Sequence, residues 1–116
     1  MSQRIVVKIG SQVLCNPDGD LNLDVLSNLV GQIGDLTDQG WQVLLVSSGA
    51  VAAGAGPAGE ALKSLADPVV RKQVMAATGQ VRLMDTYRRL FDRQGRTIAQ
   101  VLASKSDFQT RGHYLN

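Results

Sequence analysis

Two short aliphatic runs, Ile5-Val6-Val7-Lys8-Ile9 and Val43-Leu44-Leu45-Val46, flank a segment whose apolar residues return at helical spacing. Neither run alternates apolar with polar positions, which is the pattern of a strand covered on both faces in a parallel sheet. Between them Leu26, Leu29, Val30, Ile33 and Leu36 recur every three or four positions, and Gly40 offers a natural stop. Strand, helix, strand in that order predicts a parallel pair joined by a right-handed crossover.

Beyond the second run the chain breaks into Ser47-Ser48-Gly49-Ala50 and a small-residue, glycine-rich segment reaching Gly59. Asp67-Pro68 reads as an N-cap followed by proline at the first helical position, opening a helix through Ala77 that closes near Gly79. A further helix is expected at once, with Leu83, Met84, Tyr87, Leu90 and Phe91 as its apolar stripe and Arg82, Arg89 and Arg93 on its other faces. Gly95 ends it, residues 97–102 read as a third strand, and Asp107 opens a last helix. The expected order β-α-β-α-α-β-α defines an α/β protein. A sheet of three parallel strands leaves an apolar edge that has to be paired or covered.

At 116 residues, 44% hydrophobic and 19% charged, the chain has the usage of one globular domain, which excludes disorder, collagen-like repeats and coiled coil as whole-chain answers. The single cysteine, Cys15, has no disulfide partner within the chain, so a reducing cytoplasm is expected. The opening residues form neither a signal h-region nor a membrane span. The net charge of +2 hides an asymmetry: Arg4 and Lys8 face six acids up to Glu60, and the remainder is basic. Helical spacing of those later cations favours a solvated helix exterior over nucleic-acid binding.

Ligands of open parallel sheets collect beyond the carboxyl ends of the strands, which here means residues 8–11, 47–50 and 103–107. Lys8 places an ammonium in an otherwise apolar strand, costly unless it is paired or reaches solvent. Beside it, Gly10-Ser11 allows close backbone approach to a ligand. Ser47-Ser48-Gly49 turns a strand into a helix, where exposed N–H groups favour an anion; an ordinary N-cap and tight turn is the bland alternative. Gly54-Ala55-Gly56-Pro57-Ala58-Gly59 satisfies G-x-G-x-x-G but lies past the strand and lacks the later acidic residue of a dinucleotide site. No Gly-Lys-Ser/Thr completes a P-loop. Asn16-x-Asp18-x-Asp20 fails as a calcium loop because Leu21 and Ser27 stand where glycine and glutamate are required. His113 has no partner at metal-ligand spacing, and Cys15 has no neighbouring cation in sequence to make a thiolate. Trp41 and Tyr114 read as packing residues.

Three elements, Val6-Val7-Lys8-Ile9-Gly10-Ser11, Leu45-Val46-Ser47-Ser48-Gly49-Ala50-Val51-Ala52-Ala53-Gly54 and Lys72-Gln73-Val74-Met75-Ala76-Ala77-Thr78-Gly79-Gln80, resemble in order and spacing the opening of the glutamate 5-kinase family. Tyr114-Leu115-Asn116 continue the match. The first element is common to the wider amino acid kinase family, which includes acetylglutamate, aspartate, carbamate and uridylate kinases; the second and third are more specific. The resemblance implies a three-layer αβα sandwich around a mainly parallel sheet, with residues 1–116 as its N-terminal part, ending before the nucleotide-binding half. It implies transfer of the ATP γ-phosphoryl group to the side-chain carboxylate of L-glutamate, the first step of proline biosynthesis. ATP would arrive as its Mg2+ complex, with no protein ligand for the metal identifiable in this chain.

By the same resemblance Lys8 is the catalytic lysine that contacts the ATP phosphates, Gly10 and Ser11 form the turn beside them, and Ser48, Gly49 and Ala50 hold glutamate. A cytoplasmic homo-oligomer is implied, with small-molecule substrates and neither nucleic acid nor membrane as partner. The remaining pocket and adenine-contacting residues would belong to later segments, so the isolated chain is expected to be inert. A non-catalytic module that pairs its sheet edge or helices with a second chain is the alternative, and another amino acid kinase a more distant one.

Overall fold

The computed structural model of the chain describes residues 3–56 and 59–102. β1 (Gln3–Ile9) leads through Gly10 into a single helical turn, α1 (Ser11–Leu14). A tight turn at 16–20 follows, closed by the Asn16 N–H donating to the Asp20 carbonyl at 2.7 Å, with Gly19 at φ +90°. The crossover helix α2 (Leu23–Asp38) starts where the Asn22 side chain accepts from the Val25 N–H at 3.2 Å. It ends two residues before Gly40, whose φ of +93° is the left-handed turn foreseen for a helix stop. β2 (Trp41–Ser47) then pairs parallel with β1 in the register Gln3↔Trp41 through Ile9↔Ser47.

Three further helices follow: α3 (Ala50–Ala55), α4 (Gly59–Leu62) and the long α5 (Pro68–Asp92). Asp67 caps α5 by accepting from the Val69 N–H at 2.9 Å, with Pro68 in its first turn, as the sequence predicts. Leu26, Val30 and Ile33 of α2 meet Leu83, Tyr87 and Phe91 of α5 in a core that also holds Leu14, Leu21 and Ala53. Ile9, Val43 and Leu45 pack against it from the sheet.

Four expectations are corrected. The two helices foreseen on either side of Gly79 are one helix of 25 residues. Glycine at 79 does not break α5 because α3 lies against it: a Cβ built there would fall onto the Ala50 carbonyl and within 2.6 Å of the Gly54 backbone nitrogen. The propensity cost of glycine, about 1 kcal/mol, is offset by that close crossing. Residues 97–102 are irregular rather than a third strand, so the sheet among the described residues has two strands. β-propensity needs a partner edge to be realised. Here Arg96, bonded to the Gly34 carbonyl at 3.2 Å and ion-paired to Asp38, ties the chain to α2 instead.

Among the described residues the strands are also covered on one face only. Ile5, Val7, Ile9, Val43, Leu45 and Ser47 are half-buried, whereas Arg4, Val6, Lys8, Gln42, Leu44 and Val46 are exposed. Val6 at 63% and Leu44 at 57% exposure show that an unbroken apolar run did not here mean two covered faces. The α/β class and the parallel sheet stand, with helices packed on one side. Finally, α1 and α4 are short helices for which the sequence showed only turns and small residues, whereas α3 starts at Ala50, where a helix is expected to follow the Ser47-Ser48-Gly49 turn.

Arg82, Arg88 and Arg89 of α5 are ion-paired: Arg88 with Asp85 and Asp92, Arg89 with Asp85, and Arg82 with Asp20. This is the behaviour of a helix exterior. Among the described residues no helix is long and apolar enough to cross a membrane. The helix foreseen from Asp107, the strand-end group 103–107, His113 and Tyr114-Leu115-Asn116 lie outside the described residues.

Candidate functional site

The parallel register brings the carboxyl ends of β1 and β2 level with each other. Ile9 sits beside Ser47, and past the last pair the Ser48 N–H donates to the Ile9 carbonyl at 3.0 Å. The two turns foreseen from sequence, Gly10-Ser11 and Ser48-Gly49-Ala50, therefore lie side by side. A second contact holds them together. A Cβ built on Gly49 would stand 3.7 Å from the Ser11 Cα and 3.5 Å from Leu14 Cδ1, so the second turn rests on the first turn of α1.

The glycines at 10 and 49 serve different needs. Gly49, buried and at φ +104°, is the left-handed N-cap of α3, a conformation that disfavours any side chain. Gly10 has φ −88° and ψ 161°, extended backbone that any residue adopts, and a Cβ built there meets no atom within 4 Å. The fold makes no demand for glycine at position 10, and the space beside its backbone is open.

Lys8 is placed differently from the buried position the sequence suggested. It is exposed on the open face of the sheet, in register with Val46, one residue before the strand end. Burial cost therefore gives no argument for its role; position does. Ser48 is exposed and Ser11 half-buried. Together Lys8, Gly10, Ser11, Ser48, Gly49 and Ala50 offer an ammonium, hydroxyls and backbone N–H groups but no carboxylate. Such a set fits phosphate or carboxylate oxygens and supplies nothing for a bare metal ion, so Mg2+ would have to be held by the nucleotide. Two concavities can be placed among the described residues. One is a shallow groove between α5 and residues 97–100, lined by Met84, Arg88 and Ile98; another lies beside Ile9 and α2. Both are open and mainly apolar, and the second borders the end of β1 at Ile9.

Two residues near the turns gain significance only in three dimensions. Tyr87, read as a core residue of the apolar stripe, is indeed buried at 2% exposure, and its hydroxyl also reaches Ser47 Oγ at 2.9 Å. Nothing in the helical spacing announces that contact. Cys15 lies under the second turn, its Sγ 4.0 Å from the Gly49 carbonyl, and Arg82 from α5 provides the nearby cation that the local sequence lacked. Even so, burial pushes the Cys15 thiol up from its ordinary 9.0, with Arg82 opposing the shift only in part. A protonated, half-buried thiol is a packing group rather than a nucleophile.

Because the folded thiol holds its proton more tightly than the unfolded one, its contribution to stability is fully present below about pH 9 and declines as pH rises further. Urea midpoints measured from pH 8 to 10.5 should fall more steeply for the wild-type chain than for Cys15→Ser. Parallel slopes would show that this thiol does not carry the dependence.

A parallel sheet whose two strand ends converge on glycine-serine turns, with a lysine one position earlier, defines an α/β protein that gathers an ammonium, hydroxyls and backbone N–H groups at those ends. The profile of the amino acid kinase family matches residues 3–116, and the chain belongs to that family. It is 46% identical over 114 residues to the glutamate 5-kinase of Chlorobaculum tepidum, covering 98% of this chain and 31% of that enzyme. Identity is 43% to the glutamate 5-kinase of Bacteroides thetaiotaomicron, over 97% of this chain and 31% of the relative. It is also 43% to that of a Thermoanaerobacter species, over 97% and 30%. The chain thus spans less than a third of the length of these curated relatives.

Proposed function

We propose that this chain forms one wall of a glutamate 5-kinase site, where the γ-phosphoryl group of ATP passes to the side-chain carboxylate of L-glutamate. The observation that carries the reading is the junction of the two turns, made by the Ser48 N–H to Ile9 carbonyl bond and by Gly49 resting on Ser11. Phosphoryl transfer needs positioning, and positive charge or N–H groups where negative charge accumulates. Lys8 supplies a compact positive charge beside the transferring group, and Gly10 and Ser11 face the phosphates, the open space at Gly10 leaving room for them. Ser48, Gly49 and Ala50 hold glutamate. ATP brings Mg2+ with it, and the metal neutralises phosphate charge. The relatives' name supports a kinase acting on glutamate; the first step of proline biosynthesis and a cytoplasmic homo-oligomer are what the family resemblance implies.

Nuclear magnetic resonance titration tests the two halves separately. Mg2+-ATP should move the amide signals of residues 8–11, and L-glutamate those of residues 48–50. Lys8→Ala should weaken the nucleotide response about tenfold, near 1.4 kcal/mol, and leave the glutamate response in place. Failure of both ligands to perturb either turn would sink the assignment. The chain alone is expected to form no acyl phosphate, because it provides only this wall; a hydroxamate signal above background would show that it suffices.

A further inference from the structure

The backbone of Ser48 is held at both ends. Its N–H donates to the Ile9 carbonyl at 3.0 Å, and its own carbonyl accepts from Ser47 Oγ at 3.1 Å. The second of these bonds depends on a third group. Ser47 Oγ also lies 2.9 Å from the Tyr87 hydroxyl, which α5 brings in from the core. A serine has one proton to give. If it goes to Ser48, the tyrosine has to be the donor in the other bond. The setting of Tyr87 supports that direction: the residue is 2% exposed, and Ser47 Oγ is the hydroxyl's only partner among the described residues. A buried phenol that failed to donate there would leave its proton unsatisfied, which is the costlier arrangement. Burial also raises the phenol's ionisation above its ordinary 10.0, so it remains a donor across the neutral range.

We propose that Tyr87 is a positioning residue for the substrate turn: its O–H donates to Ser47 Oγ, Ser47 donates onward to the Ser48 carbonyl, and the Ser48–Gly49 peptide is thereby locked. The orientation of that peptide sets where the Gly49 N–H points and where the exposed Ser48 side chain leaves the backbone. The long helix α5 thus reaches the glutamate-binding turn through a two-step hydrogen-bond relay, without touching the ligand itself. This deepens the reading of residues 48–50 as the glutamate site and rests on it.

Tyr87→Phe keeps the buried ring and removes one hydroxyl. Amide hydrogen exchange at Ser48, whose N–H is bonded to the Ile9 carbonyl, should quicken about five- to tenfold relative to core amides of α2, the loss expected for one neutral hydrogen bond. In the glutamate titration the dissociation constant should rise by a similar factor, while the Mg2+-ATP response at residues 8–11 stays as in the wild type. Ser47→Ala should reproduce both changes, the double variant should add nothing further, and Ser47→Thr, which retains a hydroxyl, should restore them. A purely structural tyrosine would move the urea midpoint and all amides together, without this local pattern or the rescue. Wild-type exchange at Ser48 in Tyr87→Phe would overturn the relay, whether or not glutamate binds. A wild-type chain that shows no glutamate response at residues 48–50 would instead remove the ligand assignment, while the exchange comparison still decides the relay.

Discussion

Gly79→Ala is expected to destabilise the chain by about 2 kcal/mol or more, although alanine is the better helix former at an interior helical position. Two effects oppose each other. Alanine in place of glycine gains about 1 kcal/mol of helix propensity. Against this, the added methyl would overlap the Ala50 carbonyl and come within 2.6 Å of the Gly54 nitrogen, both backbone groups that no rotamer change can move aside. Overpacking of that kind costs about 3 kcal/mol or more where backbone has to separate. Gly54→Ala meets the other side of the same crossing, at the Met75 carbonyl and 2.8 Å from the Gly79 nitrogen, and should behave alike. Gly31 in α2 supplies the contrast, since a Cβ built there finds no atom within 4 Å. Gly31→Ala should therefore stabilise by several tenths of a kcal/mol, to about 1. Urea unfolding of the three variants reads the sign directly. A Gly79→Ala chain as stable as Gly31→Ala would mean that α3 and α5 do not cross this closely.

Leu14→Ala should cost about 2–5 kcal/mol, the range for emptying a fully buried leucine site. Leu14 is 0% exposed although its helix is a single turn, because it inserts between the core and the Gly49 turn. The loss should therefore be felt twice, as a lower urea midpoint and as altered amide signals at Ser11 and Gly49 under native conditions. Leu26→Ala removes an equally buried side chain from α2 and should lower the midpoint to a similar extent. It should leave those two amides in place, since the side chains nearest a Cβ built on Gly49 are those of Leu14 and Cys15 rather than Leu26. Identical amide spectra for the two variants would break the connection between core packing and the shape of the site.

Local rules account for what could be read along the chain. Asp67 and Pro68 open α5 because a carboxylate accepts from an N–H two residues on, and this needs no distant contact. Gly40 bounds α2 for a reason equally local. The turns at Gly10-Ser11 and Ser48-Gly49-Ala50 were identifiable because glycine and serine follow two aliphatic runs. Parallel pairing then obliges those strand ends to lie together, as the Ile9↔Ser47 register shows.

Contacts between residues far apart in sequence decided the rest. Gly79 looked like a helix end because its neighbour across the crossing, Gly54, is invisible to helical periodicity. Residues 97–102 carry strand-like side chains, but pairing requires an edge, and Arg96 binds the segment to α2 instead. Lys8 looked buried because its strand is apolar, yet coverage depends on what packs over each face, and its face is open. Tyr87 and Ser47 lie on separate elements, and only the docking of α5 against β2 joins their hydroxyls. By itself the sequence determined the strand-helix-strand opening, the Asp67 cap, the Gly40 stop and the two turns, since each follows from the backbone preferences and side-chain reach of adjacent residues. Tertiary structure alone decided which face of the sheet is covered, which glycine carries a helix crossing and which tyrosine reaches the candidate site, because those depend on packing between surfaces that no local rule connects.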